Sequence, residues 1–240
     1  MKKLLKKYPL YLFSIFTIIV FLVCLISFFN YNNKIIVNKN FYDLDLTNVN
    51  KLLIISHPKD EVIWASNQLI EDNYLVVCIT CSSKDITTTE FIKVMNKTQD
   101  KYFLLGYPEY NGKEKDNWEL YYKYIYEDLK IIINLKKWEI IATHNKEGEY
   151  GNIQHKKVNK LVTTLTYNKD KLYYFNKYYS KKSISNHRDE LNKLNNKQLD
   201  EKKKLISIYK SQEYIKTSFN HIIEYEEWIN YHDWGDDTNE

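Results

Sequence analysis

Arginine is almost missing from this chain: Arg188 is the single one among 35 basic residues. Planar, bidentate recognition of phosphates or base edges therefore has almost no residue to carry it. Excess charge is missing too. Lys2, Lys3, Lys6 and Lys7 account for the formal net charge of +4, because residues 1–29 contain no acid, and the rest of the chain is neutral. A neutral domain lacks the electrostatic footprint of a nucleic-acid binder, so no nucleic-acid partner is expected. Glycine (5), proline (3) and cysteine (3) are scarce as well. Three cysteines in 240 residues exclude a disulfide-stapled miniprotein. Cys24 lies in an apolar run, and Cys78-x-x-Cys81 has no second pair at the spacing of a structural zinc site, so ordinary thiols are expected.

Aromatic residues are abundant instead: 22 Tyr, 10 Phe and 5 Trp supply a core that a disordered polymer would not have. Leu10 to Phe29 is an apolar run interrupted only by Ser14, Thr17 and Ser27. A helix of this length covers roughly the 30 Å hydrocarbon core of a bilayer. A cleaved signal peptide would end at a small-residue site, and Ser27-Phe28-Phe29-Asn30 offers none. The run is read as an uncleaved transmembrane anchor. Four lysines precede it and only Lys34 and Lys39 follow closely, so the N-terminus is expected in the cytoplasm. The main domain then lies across an ER or cell membrane.

Residues 1–29 thus read as a basic tail plus anchor, 30–50 as a polar linker, 51–220 as the folded domain and 221–240 as a C-terminal tail. Lys51 to Ser56 is a nearly continuous apolar run, the mark of a strand buried on both faces. Further strands are expected at Leu75–Thr80, Glu139–Thr143 and Leu172–Phe175, and helices at Val62–Glu71, Thr88–Leu105, Trp118–Leu135, His155–Thr166 and Leu199–Phe219. Lys181–Lys204 reads as a solvated, charged excursion. Alternating strands and helices predict an α/β domain: a Rossmann-like, mostly parallel sheet flanked by helices. In such sheets ligands sit beyond the carboxyl ends of strands, which singles out the turn after Ser56 and the loop after Thr143.

Those two segments hold the most unusual polar residues in the chain. His57-Pro58-Lys59-Asp60-Glu61 starts where the first strand ends, and Pro58 suits entry into a helix. The loop from His144 to Gln154 leads to His155 at a helix start. Two imidazoles and one carboxylate, His57, Asp60 and His155, make a three-ligand zinc set with a position left for water. The bland alternative is a helix-capping His57 and a surface His155. His187, His221 and His232 read as ordinary surface or packing residues, and the run of tyrosines from Tyr107 to Tyr126 as packing.

The two blocks resemble the PIG-L/LmbE-like zinc de-N-acetylases. H-P-D-D-E is matched by His57 to Glu61, T-H-N-x-x-G-E-Y-G-H-x-x-H by Thr143 to His155, and Y-x-S-Q by Tyr209-Lys210-Ser211-Gln212. The resemblance implies Zn²⁺ on His57, Asp60 and His155, and removal of acetyl from an N-acetylglucosamine-containing glycolipid or glycan. N-acetylglucosaminyl-phosphatidylinositol of GPI-anchor biosynthesis is one such substrate. It also exposes departures: the family's base is Lys59 here, its second catalytic His is Asn152, and an Arg is Thr87, with Glu90 retained. An ammonium cannot take a proton from water, and general-base catalysis typically contributes about 10²–10⁴-fold. The catalytic set expected here is Lys59 acting while neutral, with Asn152 or His144 stabilising the oxyanion, and Glu61 or Glu149 as distant substitutes for the base. The alternative is a weakened or inactive relative that binds a glycan or serves as a scaffold.

Overall fold

The computed structural model describes residues 9–32, 39–82 and 85–235. The expected basic tail at Lys2, Lys3, Lys6 and Lys7, residue Lys34 of the linker, and the end of the C-terminal tail lie outside them. Helix α1 runs Pro9–Asn32. Its described side chains, Phe13 to Ile26, are mostly apolar and almost all exposed. Among the described residues no helix is long and apolar enough to cross a membrane.

Six strands form one sheet: β1 (Lys51–Ile55), β2 (Tyr74–Cys78), β3 (Lys101–Leu104), β6 (Ile140–Thr143), β7 (Leu172–Phe175) and β8 (Trp228–Asn230), in the order β3-β2-β1-β6-β7-β8. All neighbours are parallel except β7 and β8. The two-residue strands β4 (Tyr110–Asn111) and β5 (Glu114–Lys115) make a separate hairpin. The expected mostly parallel α/β sheet is therefore present. Alternation explains its depth: Leu53, Ile55 and Val76 face one apolar layer, while Leu52, Ile54, Leu75 and Val77 face the other. The first layer is covered by α3 (Asp60–Trp64), α4 (Ser66–Glu71), α5 (Ile86–Thr98) and α8 (Asn196–Ile206), together with residues 215–225. The second is covered by α6 (Tyr122–Asn134) and α7 (Ile153–Leu165).

Several expectations need correction. The helix expected over Thr88–Leu105 ends at Thr98; Gln99 takes a left-handed conformation (φ 66°) and the chain turns into edge strand β3. The helix expected over Leu199–Phe219 stops at Ile206 and resumes only at Tyr214–Ser218 (α9). The excursion at Lys181–Lys204 is not wholly solvated, because Ile184, Leu191, Leu194 and Lys202 are buried. Residues expected in a C-terminal tail include β8, which pairs Trp228 with Phe175, and buried Trp234. Part of the expected linker is core: a short α2 (Lys39–Tyr42) leads to Phe41 and Val49, both buried in the second layer. Cys78 and Cys81, expected as thiols, are joined as a disulfide across the turn that closes β2, with Cα atoms 5.6 Å apart.

Leaving β1, the chain builds outward through β2 and β3, then returns to the other side of β1 as β6. The β1/β6 boundary is the point at which strand order reverses. Loops leaving the carboxyl ends of these neighbours diverge and open a crevice.

Candidate metal centre

Both chemistry-bearing segments meet at that crevice. After β1, His57 and Asp60 are held by a tight turn in which the Asp60 Oδ2 accepts the His57 backbone N–H at 2.9 Å. Lys59, between them, is left-handed at φ 94°, and its N–H donates to Glu61 Oε2 and Tyr209 Oη, each at 2.9 Å. Tyr209 also donates to Glu61 Oε1, and Ser211 donates through its backbone N–H and its hydroxyl to Glu90. The Tyr209–Gln212 block thus buttresses the first motif. Glu61 is fully used in this role. Burial pushes its carboxyl up to about 8, against the Tyr209 hydrogen bond, so it is not a free base for the site.

From the other side, the loop after β6 turns at Gly148 (φ 67°), where an added Cβ would lie 2.5 Å from the Asn152 carbonyl oxygen. Asn152 then caps α7 by accepting the Gln154 N–H at 2.9 Å. One turn of helix places His155 opposite His57.

His57 Nδ1 lies 3.1 Å from Asp60 Oδ2 and 3.1 Å from His155 Nε2; His155 Nε2 lies 3.4 Å from Asp60 Oδ2. All three side chains are buried. Hydrogen bonds on the far edges of the rings fix where the protons are. Gln154 Nε2 donates to the carbonyls of Glu109 (3.0 Å) and Asp116 (2.8 Å), so its Oε1 faces His57 Nε2 at 2.6 Å and must accept from it. His155 Nδ1 meets the Glu149 carboxylate, which can only accept. Each imidazole therefore turns a lone pair inward. Two lone pairs and a carboxylate oxygen face one another with no hydrogen among them, an arrangement a cation satisfies. Ligand atoms at about 2.0–2.1 Å from a tetrahedral zinc stand roughly 3.3 Å apart, the spacing seen here. Asp60 Oδ1 is buried without a partner. Burial holds His57 down at about 4, with Asp60 opposing, so the ring is neutral as a ligand must be.

A second buried group, His144, Glu149 and His155, shares His155 with the first. Its geometry is that of support rather than ligation. Glu149 Oε2 accepts from both His155 and His144 Nδ1 (3.1 Å), while Oε1 accepts the Asn145 N–H at 2.8 Å. His144 stacks on His155 with ring centroids 3.8 Å apart. Its Nε2 accepts the Ser56 N–H at 2.9 Å. Burial opposes a proton on His144 and the Glu149 and Asp60 carboxylates attract one, raising it overall. The Ser56 N–H decides for the neutral ring here, because an imidazolium would set two donors face to face. Both nitrogens of His144 are thus engaged, and it orients the ligand set instead of donating to an oxyanion. Glu149 is likewise a partner of the ligands and not a spare base.

Lys59 is buried, and its ammonium is favoured: burial lowers its pKa, but Asp60, Tyr214 and Glu109 outweigh that and raise it. A neutral, proton-accepting lysine is not what this surrounding produces. Asn152 spends its oxygen on the cap, and its Nδ2 reaches only Tyr150 Oη at 3.4 Å.

Sequence reasoning missed Gln154, which sets the His57 tautomer, and Glu109, whose Oε1 lies 3.8 Å from His57 Nε2 and 3.6 Å from Lys115 Nζ. Glu109 follows β3, and the strand-end rule would have found it had that strand been recognised. It also lines a cleft of about 880 Å³ with Pro58, Ile86, Tyr107 and Tyr121. His187, His221 and His232 stand away from this centre: His187 stacks on Tyr179, His221 faces the Tyr179 carbonyl, and His232 faces Asp170.

Compared with known proteins, the chain is 33% identical over 190 residues to the uncharacterized protein L374 of Acanthamoeba polyphaga mimivirus, covering 72% of this chain and 76% of that protein. The chain belongs to the L374 family. No family model matches it. Among solved structures, the conserved protein TT1542 from Thermus thermophilus is similar over 78% of this chain and 99% of its own, at 9% identity and a TM-score of 0.45.

Proposed function

We propose that this protein is a membrane-anchored, zinc-dependent amidohydrolase that removes acetyl from an N-acetylglucosamine-containing substrate. One observation carries the metal: the inward lone pairs of His57 and His155 beside Asp60 Oδ2, with no proton to share. The resemblance of the His57 and Thr143 motifs to the zinc de-N-acetylases supports the reaction and the sugar. A zinc ion bound there would supply Lewis acidity and lower the pKa of a bound water to about 7. The chain does the rest. His57, Asp60 and His155 bind the ion; Gln154, Glu149 and His144 orient the two ligating rings. The Lys59 ammonium, held beside Asp60, stabilises negative charge on the reacting carbonyl oxygen. Glu109, at the wall of the cleft with its Oε1 3.8 Å from His57 Nε2, is the carboxylate proposed to take the proton. The anchor is the apolar run of residues 10–29, read from the sequence alone. The excess of lysine before it puts the N-terminus in the cytoplasm and the domain on the other side.

A second reading has its own observation. Lys59 replaces a carboxylate and is held as a cation, so the centre could bind an acetylated amino sugar without turning it over. Acetate release by the full chain, supplied with zinc and N-acetylglucosaminides including N-acetylglucosaminyl-phosphatidylinositol, separates the two. Zinc-dependent release that His155→Ala abolishes supports the hydrolase. Release absent from the wild type but present in Lys59→Asp supports the binding protein. No release from either sinks the hydrolase proposal for these substrates.

A further inference from the structure

The amino ends of the parallel strands face away from the metal centre, and a second hollow lies there. Asn134 ends α6, Ile141 sits near the start of β6 and Leu165 ends α7; between them opens a pocket of about 330 Å³, the size of a small-molecule site. Its floor is apolar, built from Ile133, Trp138, Ile141 and Leu165. Its charge is of one sign. Lys136, Lys137 and Lys171 line it, no acid does, and none of the three has an ion-pair partner among the described residues. The carboxylates nearest in sequence are turned elsewhere: Glu139 to the Asn50 amide at 3.3 Å and Asp170 to His232 at 3.1 Å.

Lysines at such a place have an ordinary role, because the negative ends of two helices converge on it. Here other groups fill that role. The last carbonyls of α6 accept the Trp138 indole N–H (Ile132 at 3.3 Å, Ile133 at 3.1 Å) and the Asn134 amide (Lys130 at 2.8 Å). Lys169 meets the carbonyls of Thr163 and Thr166 at the end of α7. Lys136 is spent on the chain before β1, donating to the Leu46 and Val49 carbonyls and to Asn50 Oδ1, so it supplies charge without a free N–H. Lys171 gives one N–H to the Trp138 carbonyl at 3.2 Å and keeps two, and Lys137 keeps all three. Thr166 lines the same pocket, and its hydroxyl is buried without a partner, a rarity in a folded chain.

We infer that this pocket binds a small amphipathic carboxylate. The apolar body lies on Trp138, Ile141 and Leu165, and the acidic head is held by Lys137, Lys171 and the Thr166 hydroxyl. The site is independent of the metal centre and of the deacetylation chemistry.

The test titrates the full chain, in a neutral detergent, with hexanoate, octanoate and decanoate by calorimetry, reading saturable binding above linear partitioning into micelles. One site per chain is expected, with affinity rising by up to about fourfold per added methylene. Octanamide, which keeps the shape of octanoate without its charge, should bind about tenfold more weakly, and so should octanoate to Lys137→Glu. Lys137 is exposed, so that variant folds. Lys113→Glu makes the same charge change on the hairpin at the other end of the sheet and should leave octanoate binding unchanged. No saturable binding of octanoate overturns the site. So does binding that survives Lys137→Glu, or octanamide binding as tightly as octanoate, which would leave an apolar hollow only. Attachment to phosphatidylserine vesicles that Lys137→Glu abolishes, without binding of free octanoate, would assign these lysines to a membrane surface and overturn the pocket.

Discussion

Glu149 is the residue on which the metal centre turns without touching the metal, and Glu149→Gln tests that. Its two oxygens accept three N–H groups: His155 Nδ1 and His144 Nδ1 on Oε2, and the Asn145 backbone on Oε1. A glutamine has the same shape but only one acceptor oxygen. With that oxygen toward the histidines, its NH₂ faces the buried Asn145 N–H, and an unsatisfied donor costs about 1–3 kcal/mol. With the oxygen toward Asn145, the NH₂ faces both imidazoles. The His155 proton is then driven to Nε2, the nitrogen that faces Asp60 and His57, and it must be displaced before a cation binds. Either way the inward lone pair of His155 is weakened. Removing outer partners of this kind typically lowers metal affinity 10–100-fold, or about 1.4–2.7 kcal/mol. Competition for zinc against a chromophoric chelator near neutral pH reads this directly. Glu190→Gln, which alters an exposed carboxylate paired with His187 and Tyr179, is the matched control. A folded Glu149→Gln protein with unchanged zinc affinity would refute the assignment of protons argued from the hydrogen bonds.

Three further outcomes are expected. Gly148→Ala places a Cβ 2.5 Å from the Asn152 carbonyl in a left-handed turn (φ 67°), so it should lower thermal stability and weaken zinc binding together, because that carbonyl begins the helix carrying His155. Asp100 is pushed up to about 7, chiefly by burial, from an ordinary 3.8. Its native state holds the proton more tightly than the unfolded chain does, so its contribution to stability is full below pH ~4 and is lost as pH rises to about 7. Asp100→Asn, which keeps the acceptor for the Tyr74 N–H, should flatten that part of the urea-midpoint-versus-pH profile; an unchanged slope would count against it. Lys202→Met strands the buried Glu226 carboxylate, whose partners are Lys202 Nζ at 2.8 Å and the Asn67 N–H at 2.7 Å, and should cost about 3–5 kcal/mol in urea unfolding.

The sheet was legible wherever a strand is buried on both faces. Leu52 to Ile55 are fully buried, and their unbroken apolar run announced it. It was illegible where the signal is positional. The boundary between α5 and β3 is made by Gln99 in the left-handed C-cap position, which glycine usually marks, so the apolar residues on either side fused into one helical reading. Strand β8 is three residues long and exists because Phe175 and Tyr173 offer an edge to pair with. At the site, His57, Asp60 and His155 could be named from spacing, since strand-end turns constrain which side chains converge. The proton assignments could not. They depend on Gln154 and the Ser56 N–H, contacts between segments separated by about ninety residues, and on how the second loop folds Glu149 back onto His144 and His155.

The departures at Lys59 and Asn152 differ in physical kind, which decides how the chemistry should be probed. Lys59 is fixed through its backbone: its N–H is bound by Glu61 and Tyr209, and its left-handed φ of 94° is one that aspartate accepts more readily than lysine. The turn therefore does not need the lysine side chain, and Lys59→Asp leaves the scaffold in place. Asn152 is fixed through its side chain, as the cap of α7, and replacing such a cap typically costs about 1 kcal/mol. A histidine there changes chemistry and helix at once. Lys59→Asp alone is the cleaner experiment, and its electrostatics add a readout. It removes a buried cation beside Asp60 and sets a second carboxylate in its place, near Glu109. Without metal, that repulsion should lower the melting temperature below wild type; with zinc bound, the shift should reverse, and the zinc affinity should rise. If the melting temperature of Lys59→Asp is indifferent to zinc, the centre does not hold the ion and the hydrolase proposal falls with it.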